Sequence, residues 1–224
     1  MKDIINFRSD KDFIKYLSRR GVFANVISKN TYGMTYLSKE ENLVYKAFYG
    51  RVYECLPEEI ITANDILLDS FIFPEKIFCV DEVLKGYTSD FVSTDLMPNL
   101  SNDFSLEKLE RINFDNMIRA YYNLVVDTYR LSNQGVKMSD KIFNLLFDNE
   151  RFSFVETYDY KYVSDNCTDI NQRIVRDSIT IPLDLAIGEY APELSDEITD
   201  IEEYLREVEK IVNESKVKSK TYHY

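Results

Sequence analysis

Residues 9–19 carry the first clear helical pattern along the chain. Ser9 and Asp12 resemble a capping box, a pair of polar residues that satisfies the free amides at the start of a helix. The apolar positions that follow have helical spacing. The pattern predicts a short helix over Asp10–Arg19, with its apolar side chains at Phe13, Tyr16 and Leu17.

Short apolar runs bounded by polar turns follow this helix, which is the pattern of β-strands. A proline then opens another helical stretch, since proline is well tolerated in the first turn of a helix. The predicted elements are strands at 22–26, 31–37 and 43–48, a helix from Pro57 to Leu68, and a hairpin of strands at 76–80 and 86–92.

The second half of the chain has mostly helical patterns after Asp95. A long helix is predicted over Asp115–Leu131, a small hairpin at 145–147 and 152–155, and a C-terminal helix with apolar residues from Ile198 to Ile211. We expect the long helix to bury a stripe made of Ile118, Tyr121, Tyr122, Val125 and Tyr129.

This order of elements predicts an α+β protein with two parts. The first is a lobe of five antiparallel strands with one inserted helix, and the second is a reduced, mostly helical lobe. Proline and small polar residues cluster near 95–105, so we place the N-terminal domain at residues 1–97 and the C-terminal domain at 98–224.

Composition narrows the classes of function. The formal net charge of −12 repels phosphate backbones, so we expect no nucleic-acid partner. The one histidine, His223, lies in the tail, which argues against a histidine triad or a histidine metal site. The three cysteines form no CxxC pair, which argues against a zinc site or a disulfide framework. The chain shows no secretion signal and no apolar run of the roughly 20 residues that span a bilayer. We therefore expect a cytoplasmic protein without a membrane partner.

Two stretches resemble the ATP-binding motifs of protein kinases. Residues 27–36 are similar to the glycine-rich loop and its flanking strands, although only Gly33 is kept and Ser28 and Asn30 occupy the other glycine positions. Residues 43–46 are similar to the Val-Ala-Ile-Lys strand. The resemblance implies that Gly33 and Lys46 would contact ATP, with Lys46 holding the phosphates.

Two further stretches resemble the catalytic and metal-binding motifs. Asn144, followed by two leucines, is similar to the metal-binding asparagine of the catalytic loop, and Asp140 lies four residues before it instead of five. Glu156 stands where the family has the aspartate of Asp-Phe-Gly. The resemblance implies Asp140 as the catalytic base and Asn144 with Glu156 as Mg²⁺ ligands. Each also has a structural interpretation, as a turn, cap or surface residue.

In kinases a glutamate on a helix pairs with this lysine, and this chain has no glutamate at the corresponding position. That position falls at Asn64, so Asp65 or Glu59 would have to substitute. Lys46 could equally be a solvated lysine on a strand. If the site is kinase-like, we expect its ammonium within a few ångströms of Glu156, Asp65 or Glu59.

The likeness covers about residues 22–160 and predicts a bilobal, protein-kinase-like fold, similar to small kinase-like proteins of Gram-positive bacteria and their phages. Three hypotheses follow. Because several motif positions carry other residues than the family has, the sequence favours a pseudoenzyme that acts through a protein partner, with weak or no binding of ATP and Mg²⁺. The alternatives are an active, divergent phosphotransferase for a protein or a small molecule, and an unrelated α+β interaction protein.

Overall fold

The computed structural model describes residues 3–29, 31–50, 68–93, 95–98, 106–192 and 194–221. The chain forms two compact units, one made of Met1–Phe91 with Glu156–Val163 and the other of Val92–Val155 with Ser164–Tyr224. The architecture is mixed α+β, as predicted, with a six-stranded mixed sheet and several helices. The domain division predicted at residues 97 and 98 stays a prediction.

The first unit is built around the six-stranded sheet, with one helix near its start. Its elements up to residue 91 are β1 Asp3–Phe7, α1 Asp10–Arg19, β2 Val26–Lys29, β3 Gly33–Ser38, β4 Leu43–Phe48, β5 Lys76–Val80 and β6 Val83–Asp90. The strand order is β1-β5-β6-β4-β3-β2. Helix α1 has the predicted bounds, and the Ser9 hydroxyl accepts a hydrogen bond from the Asp12 amide at 3.2 Å, as its N-cap.

The sheet has six strands rather than the five expected, because β1 joins one edge. It pairs with β5 in parallel, from Asp3 opposite Lys76 to Phe7 opposite Val80. The other neighbours, β5 with β6, β6 with β4, β4 with β3 and β3 with β2, are antiparallel.

The two faces of this sheet carry separate apolar clusters. One includes residues of α1 and comprises Phe13, Leu17, Val22, Tyr36, Tyr45, Phe78 and Val80. The other comprises Phe48, Ile77, Cys79, Leu84, Tyr87 and Tyr158. Successive residues of a strand point to opposite faces. Tyr45 on β4 therefore belongs to the α1 cluster, whereas Lys46 shares its face with Phe48. The helix predicted from Pro57 falls on 51–67, outside the described residues.

The remaining elements are mostly helical and, apart from β10, belong to the second unit. They are α2 Leu106–Leu109, α3 Phe114–Asn133, β7 Val136–Lys137, β8 Leu145–Phe147, β9 Phe152–Phe154, β10 Lys161–Tyr162, α4 Thr168–Ile187, α5 Leu194–Glu197 and α6 Ile201–Thr221. Strands β8 and β9 form the predicted antiparallel hairpin. Helix α4, one of the longest elements, had only been predicted as part of a mostly helical region.

Helix α3 confirms the predicted long helix but not its whole buried stripe. Ile118 is buried as expected, whereas Tyr122 and Tyr129 are exposed. The physical reason is that successive residues of a helix lie about 100° apart, so Tyr121 and Tyr122 cannot both face one core. The face that is buried includes Met117, Leu124 and Leu131.

Candidate functional site

Lys46 lies in the middle of the sheet, on β4, with β3 on one side and β6 on the other. Its side chain is only 2% exposed, and its ammonium forms an ion pair with the Glu156 carboxylate, which is 25% exposed. The solvated lysine that was the alternative interpretation is therefore wrong. Of the three acidic residues expected near Lys46, Glu156 is the one it contacts, while Asp65 and Glu59 lie outside the described residues.

Glu156 is held at this position by the residues that follow it. Its backbone is left-handed, with φ 57° and ψ 36°, which is uncommon for a residue other than glycine. The Thr157 hydroxyl donates a hydrogen bond to the Ile72 carbonyl at 2.8 Å. The Tyr158 ring packs against Phe48 and Tyr87, with centroid distances of 5.1 Å and 5.3 Å. These contacts fix the turn that presents Glu156 to Lys46.

The neighbours of Lys46 across the sheet are Thr35 on β3 and Tyr87 on β6. Sequence reasoning missed Tyr87, although the alternating pattern of β6 places it opposite Lys46 once the two strands are aligned. Burial raises the pKa of the Tyr87 phenol well above its usual range, and the nearby carboxylate of Glu156 raises it further. Tyr87 is therefore a neutral neighbour of the ion pair at physiological pH.

Two glycines let the neighbouring strands approach the strand that bears Lys46. A Cβ added at Gly33 on β3 would lie 2.2 Å from the Ala47 carbonyl oxygen, and one added at Gly86 on β6 would lie 2.1 Å from the Lys46 carbonyl oxygen. Both distances are far below van der Waals contact. The packing of the sheet alone accounts for glycine at position 33, and its predicted contact with ATP stays a prediction.

The other two predicted site residues, Asp140 and Asn144, lie in the second unit. Asp140 is exposed in the bend before the single-turn helix Ile142–Asn144. The Asn144 carbonyl accepts a hydrogen bond from the Val155 amide at 2.9 Å, at the open end of the hairpin of β8 and β9. Their roles as base and metal ligand stay predictions.

Two of the residues that the resemblance assigns to Mg-ATP contact each other in the structure. The ammonium that would hold the phosphates is already neutralised by Glu156, and Glu156 is also the carboxylate that would bind the metal. A phosphate would have to share the ammonium with that carboxylate. Within the described ranges, no group of three or more histidine, cysteine, aspartate or glutamate side chains is arranged to hold a metal ion.

Comparison with known proteins adds no family to this description. Neither a scan against protein-family models nor a search of the curated proteins found a match. Across the part of the chain that the structure describes, no helix combines the length and apolar character that a membrane span requires.

Proposed function

We propose that this chain is a kinase-like pseudoenzyme that acts by binding a protein partner and has little or no affinity for ATP. The observation that carries the proposal is the ion pair of Lys46 with Glu156. It joins the two residues that the kinase resemblance assigns to phosphate and metal, so each already has an opposite charge beside it.

The arrangement of the first unit supports the kinase-like part of the proposal. Without β1, the sheet consists of five antiparallel strands, the number and orientation that the resemblance implies. The third of these strands bears Lys46, and it follows the strand that begins with Gly33, as in the predicted loop and lysine strand. We propose that the two units correspond to the two lobes of a kinase-like protein.

The energetics of the ion pair support the loss of nucleotide binding. A buried lysine without a partner is strongly unfavourable, so a carboxylate that neutralises it is not easily displaced. An ATP phosphate would have to compete with Glu156 for the ammonium, and Mg²⁺ would have to compete with Lys46 for the carboxylate. We therefore expect phosphotransfer near background.

Nucleotide titration tests the proposal directly. Thermal unfolding of the purified chain is followed with increasing ATP and MgCl₂, and transfer of labelled γ-phosphate is measured in parallel. A ligand present at about 1,000 times its Kd would raise the free energy of unfolding by about 4.1 kcal/mol, which is easily seen. We expect no resolved stabilisation, and no autophosphorylation or ATPase activity above that of a Lys46→Ala control.

Turnover would contradict the proposal. If the wild-type chain transfers phosphate and both Lys46→Ala and Glu156→Ala abolish the transfer, the active phosphotransferase replaces the pseudoenzyme. If neither the wild type nor Glu156→Gln binds ATP, the unrelated interaction protein becomes the better interpretation, because a kinase-like cleft freed of its competing carboxylate should accept a nucleotide.

A further inference from the structure

Strand β1 is an open edge of the six-stranded sheet. It pairs with β5 on one side, from Asp3 to Phe7, and within the described residues no strand pairs with its other side. An edge strand presents a row of backbone N–H and C=O groups with which another extended chain can pair. The side chain of Ile4 on this strand is 37% exposed, so this edge of the sheet reaches solvent.

The opposite edge, β2, carries features that protect an edge strand from further pairing, and β1 lacks them. The pairing of β2 with β3 is irregular between Val26 and Ser28, and β2 ends at Lys29. Bulges, lysines and prolines are common means by which proteins keep an edge from adding another strand. The register of β1 with β5 is unbroken, and β1 contains no lysine and no proline. Of the two edges, β1 is therefore the one open to strand addition.

A groove of about 440 Å³ lies beside this edge, between β1 and α1. Its lining consists of two aromatic residues, one carboxylate and three cations, which are Phe7, Tyr16, Asp12, Lys15, Arg19 and Arg20. The rings of Phe7 and Tyr16 contact each other, with a centroid distance of 5.2 Å. Because Phe7 packs on the α1 cluster, the groove lies on the α1 face of the sheet edge.

One cation of the groove already has an opposite charge beside it. Arg20 forms an ion pair with Glu41, and its guanidinium lies 4.5 Å from the centroid of the Tyr16 ring. Asp12, the one carboxylate of the lining, accepts a hydrogen bond from the Ser9 hydroxyl at 2.9 Å. These contacts account for Arg20 and Asp12, and leave the other two cations to be explained.

Lys15 and Arg19 are exposed, and neither forms an ion pair with any residue that the structure describes. They stand four residues apart on α1, a spacing at which like charges repel. Even with Glu41 counted, three cations face two carboxylates, so the groove is positive in a chain whose formal net charge is −12. The acidic turn at 81–82 lies outside the lining, at the end of β1 where Arg8 stands. The groove therefore attracts a carboxylate.

We propose that β1 and this groove bind an extended acidic segment of a protein partner, which adds to the sheet as a further strand. Successive side chains of such a segment point to opposite faces. On the α1 face its acidic side chains lie beside Lys15 and Arg19. On the other face its apolar side chains continue the row of Ile4 and Ile77, which are opposite each other in the sheet. This inference rests on the proposed function, a protein that acts through a partner, and names the partner's chemistry.

The combination of an open strand edge and a basic groove selects a polypeptide over other anions. A membrane, a nucleic acid or a free phosphate would meet the cations, but has no row of N–H and C=O groups to pair with β1. A second copy could add its own β1 in antiparallel, about a two-fold axis perpendicular to the sheet. That arrangement would place both α1 helices on one face and bring the cations of the two copies together, so it is disfavoured.

A designed peptide serves as the probe. It has about eight residues, in which glutamate alternates with valine, because strands of this length are common and the alternation matches the two faces. Binding is measured by calorimetry at low salt, and exchange of backbone amide hydrogens locates it. We expect slower exchange in β1 and unchanged exchange in β2. A peptide with the same residues in two blocks, and one with lysine in place of glutamate, are the controls and should not bind.

Methylation of the peptide backbone distinguishes strand addition from simple attraction of charge. Neighbouring residues of a strand direct their N–H groups to opposite sides, so one set of alternate amides faces β1 and the other faces solvent. One peptide is methylated at every valine nitrogen and a second at every glutamate nitrogen. One of the two should bind at least about tenfold more weakly than the other, because only one loses its hydrogen bonds to β1.

Matched variants of the chain test the groove. Lys15→Gln and Arg19→Gln should each weaken binding of the peptide about threefold and make it less dependent on salt, since each removes a charge that faces the segment. Lys29→Gln is the control, because Lys29 is exposed on β2 at the opposite edge of the sheet. It should change the affinity by less than about 1.5-fold.

Several results would overturn the proposal. These are failure of the alternating peptide to bind, equal binding of the block peptide or of the two methylated peptides, and equal losses in the Lys15 and Lys29 variants. Self-association that slows exchange in β1 would make a second copy the occupant. Tighter binding of polyphosphate or of anionic vesicles, without slower exchange in β1, would make the groove a general anion site. The nucleotide tests are independent, since a peptide that fails to bind leaves the kinase-like proposal standing, and ATP turnover leaves a mapped peptide site standing.

Discussion

Replacing Glu156 by glutamine removes the charge that neutralises Lys46 while keeping the shape of the side chain. Removing one partner of a buried ion pair costs about 3 to 5 kcal/mol, because the other charge is left unpaired. Lys46 is 2% exposed and Glu156 is 25% exposed, so water reaches one end of the pair. We therefore expect the lower end of that range, about 3 kcal/mol, which corresponds to a fall in Tm of about 6 to 12 °C for a chain of this size.

The loss is measured by urea unfolding followed by circular dichroism, since the chain has no tryptophan to report on folding. Glu82→Gln is the matched control, because Glu82 also has a left-handed backbone, with φ 64°, but its side chain is exposed in the turn between β5 and β6. Its free energy of unfolding should change by no more than about 0.5 kcal/mol.

A double-mutant cycle separates the ion pair from the shape of the site. Lys46→Met removes the buried charge and keeps a long apolar side chain, so Glu156→Gln should cost much less when Lys46→Met is already present. Phosphate or ATP should restore part of the stability of Glu156→Gln alone, by pairing with the freed ammonium. The reasoning is refuted if Glu156→Gln is as stable as Glu82→Gln. It is also refuted if Glu156→Gln lowers the free energy of unfolding equally in the wild type and in Lys46→Met.

Two further predictions concern the sheet and the second unit. Gly33→Ala should lower the free energy of unfolding in urea by about 1 to 3 kcal/mol, because the added Cβ would meet the strand that bears Lys46. Gly50→Ala is the control and should be neutral, since there is open space around Gly50. Equal effects of the two substitutions would contradict this prediction. The Tyr204 hydroxyl lies 2.9 Å from an Asp184 oxygen, and burial, reinforced by that carboxylate, raises the pKa of the phenol. Below about pH 10 the phenol is protonated in both the folded and the unfolded protein. Above about pH 10 the phenol of the unfolded protein loses its proton first, so the free energy of unfolding should fall as the pH rises. Urea midpoints from about pH 8 to about pH 11 should decline less in Tyr204→Phe than in the exposed control Tyr190→Phe, and equal declines would remove Tyr204 as the cause.

Local patterns predicted most elements of the first unit, but the strand expected at 22–26 lies at Val26–Lys29, after a single-turn helix at Val22–Ala24, and the edge strand β1 was missed. Helix α1 was predictable because its cap and apolar spacing are local, and strand β4 because an apolar run ends at a clear turn. Strand β1 has only five residues, and its partner β5 begins more than 60 residues later in the chain. A short strand whose partner is so distant in sequence leaves no local signal, since its stability comes from Ile5 and Phe7 packing on the α1 cluster.

The candidate site was predictable in its residue types more than in its geometry. The resemblance to the kinase lysine strand pointed to Lys46, and the resemblance to the Asp-Phe-Gly motif pointed to Glu156. The left-handed backbone at Glu156 has no sequence signature in a glutamate. The exposure of Tyr122 and Tyr129 on α3 was not predicted, for a different reason. A helical pattern of tyrosine and valine is typical of a buried face, and only the packing of the helix against its neighbours decides which face is exposed to solvent.

The ion pair has a consequence for how the first unit folds without a ligand. A site that needs a nucleotide to neutralise a buried lysine leaves that charge unpaired when it is empty, at a cost of several kcal/mol. Here Glu156 supplies the opposite charge from within the same unit, and the turn that follows it packs on the same apolar cluster as Phe48 and Tyr87. Among the residues that the structure describes, the buried charge of Lys46 is therefore paired before any ligand arrives. The proposed weakness of nucleotide binding follows from this pairing, because phosphate and Mg²⁺ would each have to compete with a partner that is already in place.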